Sequence, residues 1–81
     1  MVRLEKMRKG KEMSIGEELK SHRLANNLTL LELEKATGIS NQNLSRWERD
    51  LVLPNIEFCI QLANFYGISL DELVGREEYR G

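Results

Sequence analysis

At three places in this 81-residue chain a Ser or Thr that opens a helix-forming run stands three positions ahead of a Glu: Ser14 before Glu17, Thr29 before Glu32, and Ser69 before Glu72. That spacing is the capping box. The hydroxyl accepts from the backbone N–H three residues on, and the carboxylate reaches back to the cap's own N–H. Ser40 with Asn43 is a weaker version, because Asn lacks the reach of Glu or Gln, and Asn55 after Pro54 is a further N-cap candidate. Apolar pairs bracket three of these starts as hydrophobic staples: Leu28 with Leu33, Ile39 with Leu44, and Ile68 with Leu73. Asn27, Gly38, Gly67 and Gly75 sit where a left-handed residue closes a helix, and Asp50 can do so only at some strain. Five helices follow, at about 15–26, 30–37, 41–49, 55–66 and 70–74, with no strand-like alternation and no internal repeat between them. The expected fold is all-α, compact and sequentially packed through short connections.

Length and composition narrow the function. Eighty-one residues make one domain, near the size where a single core suffices. The single Cys cannot form an internal disulfide, which suits a reducing cytoplasm. No run approaches the ~18 apolar residues of a membrane span, and no signal-peptide pattern opens the chain. Net charge is −1, but its distribution is uneven: residues 1–13 hold five basic and two acidic side chains, and the remainder holds seven basic and eleven acidic. An anion-binding surface must therefore be a local patch or the N-terminal arm. Residues 1–13 read as a basic tail, either loose or reaching a DNA groove; 14–75 read as the folded domain and 76–81 as a short C-terminal tail.

Helices two and three are separated only by Gly38-Ile39-Ser40, the spacing of a helix-turn-helix. Stepping ~100° per residue around the third helix divides it into two sides. Leu44, Trp47 and Glu48 face inward; Gln42, Ser45, Arg46 and Arg49 face outward, with Asn41 and Asn43 at the edges. Amides can bond adenine, and Arg can fork onto guanine or a phosphate. A solvated, amide-rich surface helix is the competing reading of those residues, since short motifs match by chance.

Residues 15–74 resemble the Cro/repressor-type helix-turn-helix, the xenobiotic response element family of bacterial and phage regulators. The resemblance is carried by "LTLLELEKATGISNQNLSRWERDLVLPNIEFCIQLANFYGISLDEL" and holds without a gap. Its elements are LT, then L-x-x-x-x-G-[IV]-S, L-S-x-W-E, P, and A-x-x-Y-G-I-S-x-D-E-L. It implies a five-helix, lambda-repressor-like DNA-binding domain whose third helix reads the major groove. Base-edge contact is then expected from Asn41, Gln42, Asn43 and Arg46, with phosphate contact at Ser45, Arg49 and the backbone N–H groups of Leu30, Asn55 and Ile56. The resemblance further implies a buried pair between Arg23 and Glu48, which agrees with the inward placement of Glu48. Three positions depart from the pattern. Leu30 replaces a frequent Gln, Asp50 replaces a common Gly, and Glu34 replaces a small Ala, so that the turn widens or Glu34 bends outward along its methylenes.

Other chemistry finds little support. Cys59 falls at helical spacing with Ile56, Leu62, Ala63 and Tyr66 and reads as a core thiol; His22 reads as an exposed helix residue. One Cys and one His cannot supply a four-ligand zinc site, and no nucleophile–base pair or carboxylate dyad is evident, so neither an enzyme nor a cofactor is expected. The apolar run Leu51-Val52-Leu53 admits two readings, a tuck into the core or a dimer seam extended by Phe58 and Phe65. The expected function is sequence-specific binding of a palindromic double-stranded operator by a homodimer acting as a transcriptional repressor. An antitoxin-like or protein-only interaction module on the same fold is the alternative.

Overall fold

A computed structural model describes residues 13–76, in which five helices follow one another: α1 (Ile15–Ala25), α2 (Leu30–Thr37), α3 (Asn41–Glu48), α4 (Ile56–Tyr66) and α5 (Leu70–Val74). The basic segment and the last residues of the chain lie outside that range. Each helix begins where a side chain satisfies its first amides. Ser14 and Thr29 form complete capping boxes with Glu17 and Glu32. Ser69 accepts from the Glu72 N–H, and Asn55 accepts from the Phe58 N–H while standing just outside α4. Ser40 manages without a partner acid by accepting from two amides, Gln42 N and Asn43 N. Helix ends fall within a residue of expectation. Asn27, Gly38, Gly67 and Gly75 all take positive φ.

The staples bring the helices together. Leu33, Ile39, Leu44 and Leu73 are buried, and Leu28 and Ile68 pack beside them. Leu19 from α1, Trp47 from α3, and Cys59, Leu62 and Ala63 from α4 complete a core to which all five helices contribute. Cys59 is a buried free thiol whose pKa is raised by burial, as a core thiol's should be. His22 departs from the expected exposed role. It is half-buried, its Nε2 donates to the Glu72 carbonyl at 3.1 Å, and its ring lies 5.9 Å from that of Tyr66, so it ties α1 to α5. Among the described residues no helix is long and apolar enough to cross a membrane.

Asp50 is the most constrained backbone position. Its φ of 60° is left-handed, a conformation that strains an ordinary side chain by about 1 kcal/mol. Its carboxylate offsets that strain by accepting from Ser14 Oγ at 2.6 Å and from Gly16 N at 3.0 Å, placing a negative charge at the positive end of α1. The end of α3 therefore lies directly on the start of α1. Gly16 permits the approach: a Cβ there would fall 2.7 Å from Glu48 O and Asp50 Oδ1, and closer still to Trp47 O.

Candidate nucleic-acid interface

An isolated eight-residue helix is unstable in water, so the placement of α3 has to come from its surroundings. Leu44 and Trp47 bury its inner side, and the ring of Phe58 packs on Trp47 with centroids 5.1 Å apart. At its C-terminal end, Glu48 accepts from Arg23 Nε at 2.8 Å and Arg23 Nη2 at 2.9 Å, a two-pronged pair. Arg23 Nη1 also donates to the Leu28 carbonyl at 2.8 Å, so one guanidinium joins α1, the α1–α2 turn and α3. Both side chains of the pair are about nine-tenths buried, at 10% and 7% exposure. The hydrogen bond to Glu48 holds the Arg23 pKa above its ordinary value, outweighing the opposing effect of burial.

At the other end, Glu34 reaches across the turn instead of bending outward along its methylenes. Its Oε1 crosses the turn and accepts from Asn41 Nδ2 at 2.6 Å and, more weakly, from Asn41 N at 3.3 Å. Thr37 stiffens the same turn: its Oγ1 donates to Leu33 O at 2.8 Å and accepts from Ile39 N at 3.1 Å. Gln61 of α4 donates to Thr37 O at 2.7 Å, tying the turn to the next helix.

What remains facing outward is polar and basic. Gln42, Arg46 and Arg49 are exposed, and Asn41, Asn43 and Ser45 are half-buried. Arg46 Nη1 donates to Asn43 Oδ1 at 3.2 Å, and Arg49 Nε donates to Ser45 Oγ at 3.2 Å. The Gln42 side chain has no partner among the described residues. The first amides of α3 are taken by Glu34 and Ser40, whereas Leu30 N at the head of α2 and Ile56 N at the head of α4 have no partner among the described residues. The Leu30 side chain itself packs against the core.

The apolar loop stays at the surface. Leu51, Val52 and Leu53 are 61%, 52% and 69% exposed, so none of them tucks into the core. Ile56 and Ile60, one turn apart on α4, are exposed as well and continue that surface. The phenylalanines do not extend it. Phe58 is half-buried under Trp47, and Phe65 is exposed on another flank of α4, edge-on to Tyr66 at 5.2 Å. Sequence reasoning singled out Asp50 as a strained helix stop and a departure from the family pattern, singled out Glu34 only as a departure, and missed Gly16, Thr37 and Gln61. A glycine one residue inside a capping box was the available signal for Gly16, since it weakens a helix unless something must come close.

The helix-turn-helix family pattern matches residues 19–73, from the middle of α1 through α5. The chain belongs to the helix-turn-helix family. Within it, the chain is 38% identical over 66 residues to the HTH-type transcriptional regulator ImmR of Bacillus subtilis, an overlap of 82% of this chain and 52% of ImmR. It is 36% identical over 64 residues to the cryptic phage CTXphi transcriptional repressor RstR of Vibrio cholerae, covering 79% of this chain and 57% of RstR. The chain thus spans little more than half of these relatives. Among solved structures, the P22 c2 repressor in complex with a synthetic operator superposes with a TM-score of 0.71 at 29% identity, over 80% of this chain and 98% of that one. The helix-turn-helix shared with these proteins is the segment whose outer face carries Gln42, Asn43 and Arg46.

Proposed function

We propose that this protein binds double-stranded DNA sequence-specifically and regulates transcription as a repressor, laying α3 in the major groove. The observation that carries the proposal is the outer face of α3. Gln42, Asn43 and Arg46 point away from the core together, on a helix whose two ends are held by Glu34 and by the Arg23–Glu48 pair. Amide and guanidinium groups are the side chains that read base edges, and rigid placement is what lets them discriminate. In this reading Leu30 N, Asn55 and Ile56 N meet phosphates at helix N-termini, and Ser45 and Arg49 meet the backbone late in α3. The match to a repressor solved on its operator supports the same docking. The protein acts in the cytoplasm in this reading, where bacterial DNA is.

A second copy of the chain is the proposed partner of the apolar surface at Leu51, Val52, Leu53, Ile56 and Ile60, so that two α3 helices meet an inverted repeat about one helical turn apart. Val52→Asp should weaken self-association and DNA binding together; a chain that sediments as a monomer with and without DNA would remove the dimer. The function is tested by selecting bound duplexes from a random library at low salt. An enriched inverted repeat, lost in Gln42→Ala/Arg46→Ala, is expected. Absence of enrichment would favour the second reading that the exposed apolar surface supports: a protein-binding module, antitoxin-like or otherwise, on a helix-turn-helix scaffold.

A further inference from the structure

We propose that Glu34 is a positioning residue for specificity. By fixing which atom of the Asn41 amide faces outward, it makes that residue favour a base with an exocyclic amino group. The inference rests on the DNA-binding reading and adds to it a residue of α2 that need not touch DNA.

An asparagine amide carries an acceptor at one end and donors at the other, and half a turn of its terminal torsion exchanges them. Left alone at a groove, Asn41 could present either end. Glu34 removes the choice. A carboxylate oxygen only accepts, so the contact between Glu34 Oε1 and the Asn41 amide at 2.6 Å requires the nitrogen at that end. The backbone N–H of Asn41 reaches the same oxygen at 3.3 Å, which fixes the carboxylate relative to the helix as well as to the side chain. Asn41 Oδ1 then lies at the opposite end of the amide, and no donor among the described residues engages it.

In the major groove, adenine N6 and cytosine N4 are donors, whereas guanine offers O6 and N7 and thymine offers O4, all acceptors. An outward oxygen matches the first two and meets the others with lone pair against lone pair. Asn43 shows the reverse arrangement on the same helix. Its Oδ1 already accepts from Arg46 Nη1 at 3.2 Å, leaving its nitrogen and the guanidinium to face acceptors such as those of guanine. The two amides are thus polarised oppositely by their neighbours, one by an acid and one by a base.

The test compares wild type with Glu34→Gln, Glu34→Ala and Asn41→Ala in the same duplex selection, then in titrations of one operator carrying each of the four bases at a single position. That position is the one whose preference Asn41→Ala abolishes. Wild type is expected to prefer adenine or cytosine over guanine there by about tenfold, the worth of one hydrogen bond gained against an unpaired acceptor. Glu34→Gln can hold the Asn41 amide in either orientation, and Glu34→Ala in neither, so both should reduce the preference to below about threefold. The position lost on Arg46→Ala should keep its preference, which separates the effect from general loosening of the fold. The proposal is overturned if wild type prefers guanine or thymine at the Asn41 position, if both Glu34 variants keep the full preference, or if Asn41→Ala alters no position. A wild type that selects no duplex defeats the DNA-binding reading itself, before any variant is compared.

Discussion

Replacing Arg23 with Ala removes the group on which most of the architecture around α3 converges. Arg23 makes two bonds to Glu48 and one to the Leu28 carbonyl, all between 2.8 and 2.9 Å. Truncation leaves the Glu48 carboxylate without either donor in a position where its side chain is 7% exposed, so water cannot take their place without opening the structure. Stranding one partner of a buried pair costs about 3–5 kcal/mol. A domain of this length has only about 4–12 kcal/mol to lose, at ~0.05–0.15 kcal/mol per residue. The melting midpoint should therefore fall by more than about 12 °C, since each kcal/mol moves it ~4–8 °C at this size.

The pair itself is worth much less than its disruption, and the assay has to separate the two. In the double variant Arg23→Met/Glu48→Leu, apolar side chains of similar volume replace both charges, and such replacements are often neutral or stabilising. Thermal unfolding followed by circular dichroism should place the double variant well above Arg23→Ala and within a few degrees of wild type. The reasoning fails if Arg23→Ala shifts the midpoint by less than about 4 °C, equivalent to under about 1 kcal/mol. It fails equally if the double variant is no more stable than the single, because the stranded carboxylate would then not be the source of the loss.

Gly16→Ala should destabilise by about 2 kcal/mol or more in denaturant titration, although Ala is the better helix former, because the new Cβ meets the Glu48 and Asp50 backbone and side chain at 2.7 Å. A gain in stability there would refute the close approach of α1 and α3. The Tyr66 hydroxyl is pushed up to about 12, chiefly by burial and then by the Glu48 charge. A folded-state pKa above the ordinary value near 10 leaves stability untouched below pH ~10 and removes it as pH climbs from there toward 12. Tyr66→Phe should flatten that alkaline loss relative to wild type in pH-dependent melts, and parallel curves would contradict the shift.

The fold was legible because its signals are local. An N-cap side chain finds its amide within four residues and a left-handed stop is set within one, so Ser14, Thr29, Ser69 and the glycines could be placed without knowledge of any neighbour. The inward and outward faces of α3 followed from helical period alone. What could not be read depends on contacts between distant segments. Asp50 looks like a poor substitute for glycine until Ser14 and Gly16, more than thirty positions upstream, supply donors for its carboxylate. Glu34 looks too large for its place until Asn41 is seen across the turn. Phe58, a candidate extension of a dimer seam in one of the two readings of the apolar loop, lies against Trp47, because helical spacing gives the direction of a side chain but not what stands in that direction.

These contacts also explain how a chain of net charge −1 can present a face suited to a polyanion. Among the described residues the acids near α3 are turned toward protein donors: Glu48 to Arg23, Asp50 to the start of α1, and Glu34 to Asn41. Glu17 and Glu32 are likewise spent on their own capping boxes. Within Asn41–Trp47 there is no acidic residue at all, and Arg46 and Arg49 stand exposed on the outer side. A sum over the whole chain hides this, because a carboxylate bound to internal donors at a helix terminus projects far less field outward than an unpaired guanidinium on the rim. Three of the thirteen acidic residues, Glu34, Glu48 and Asp50, are among the groups that hold α3 in place. Exchanging these three for neutral residues to raise the net charge would therefore loosen α3 and, under the proposed function, weaken DNA binding instead of strengthening it.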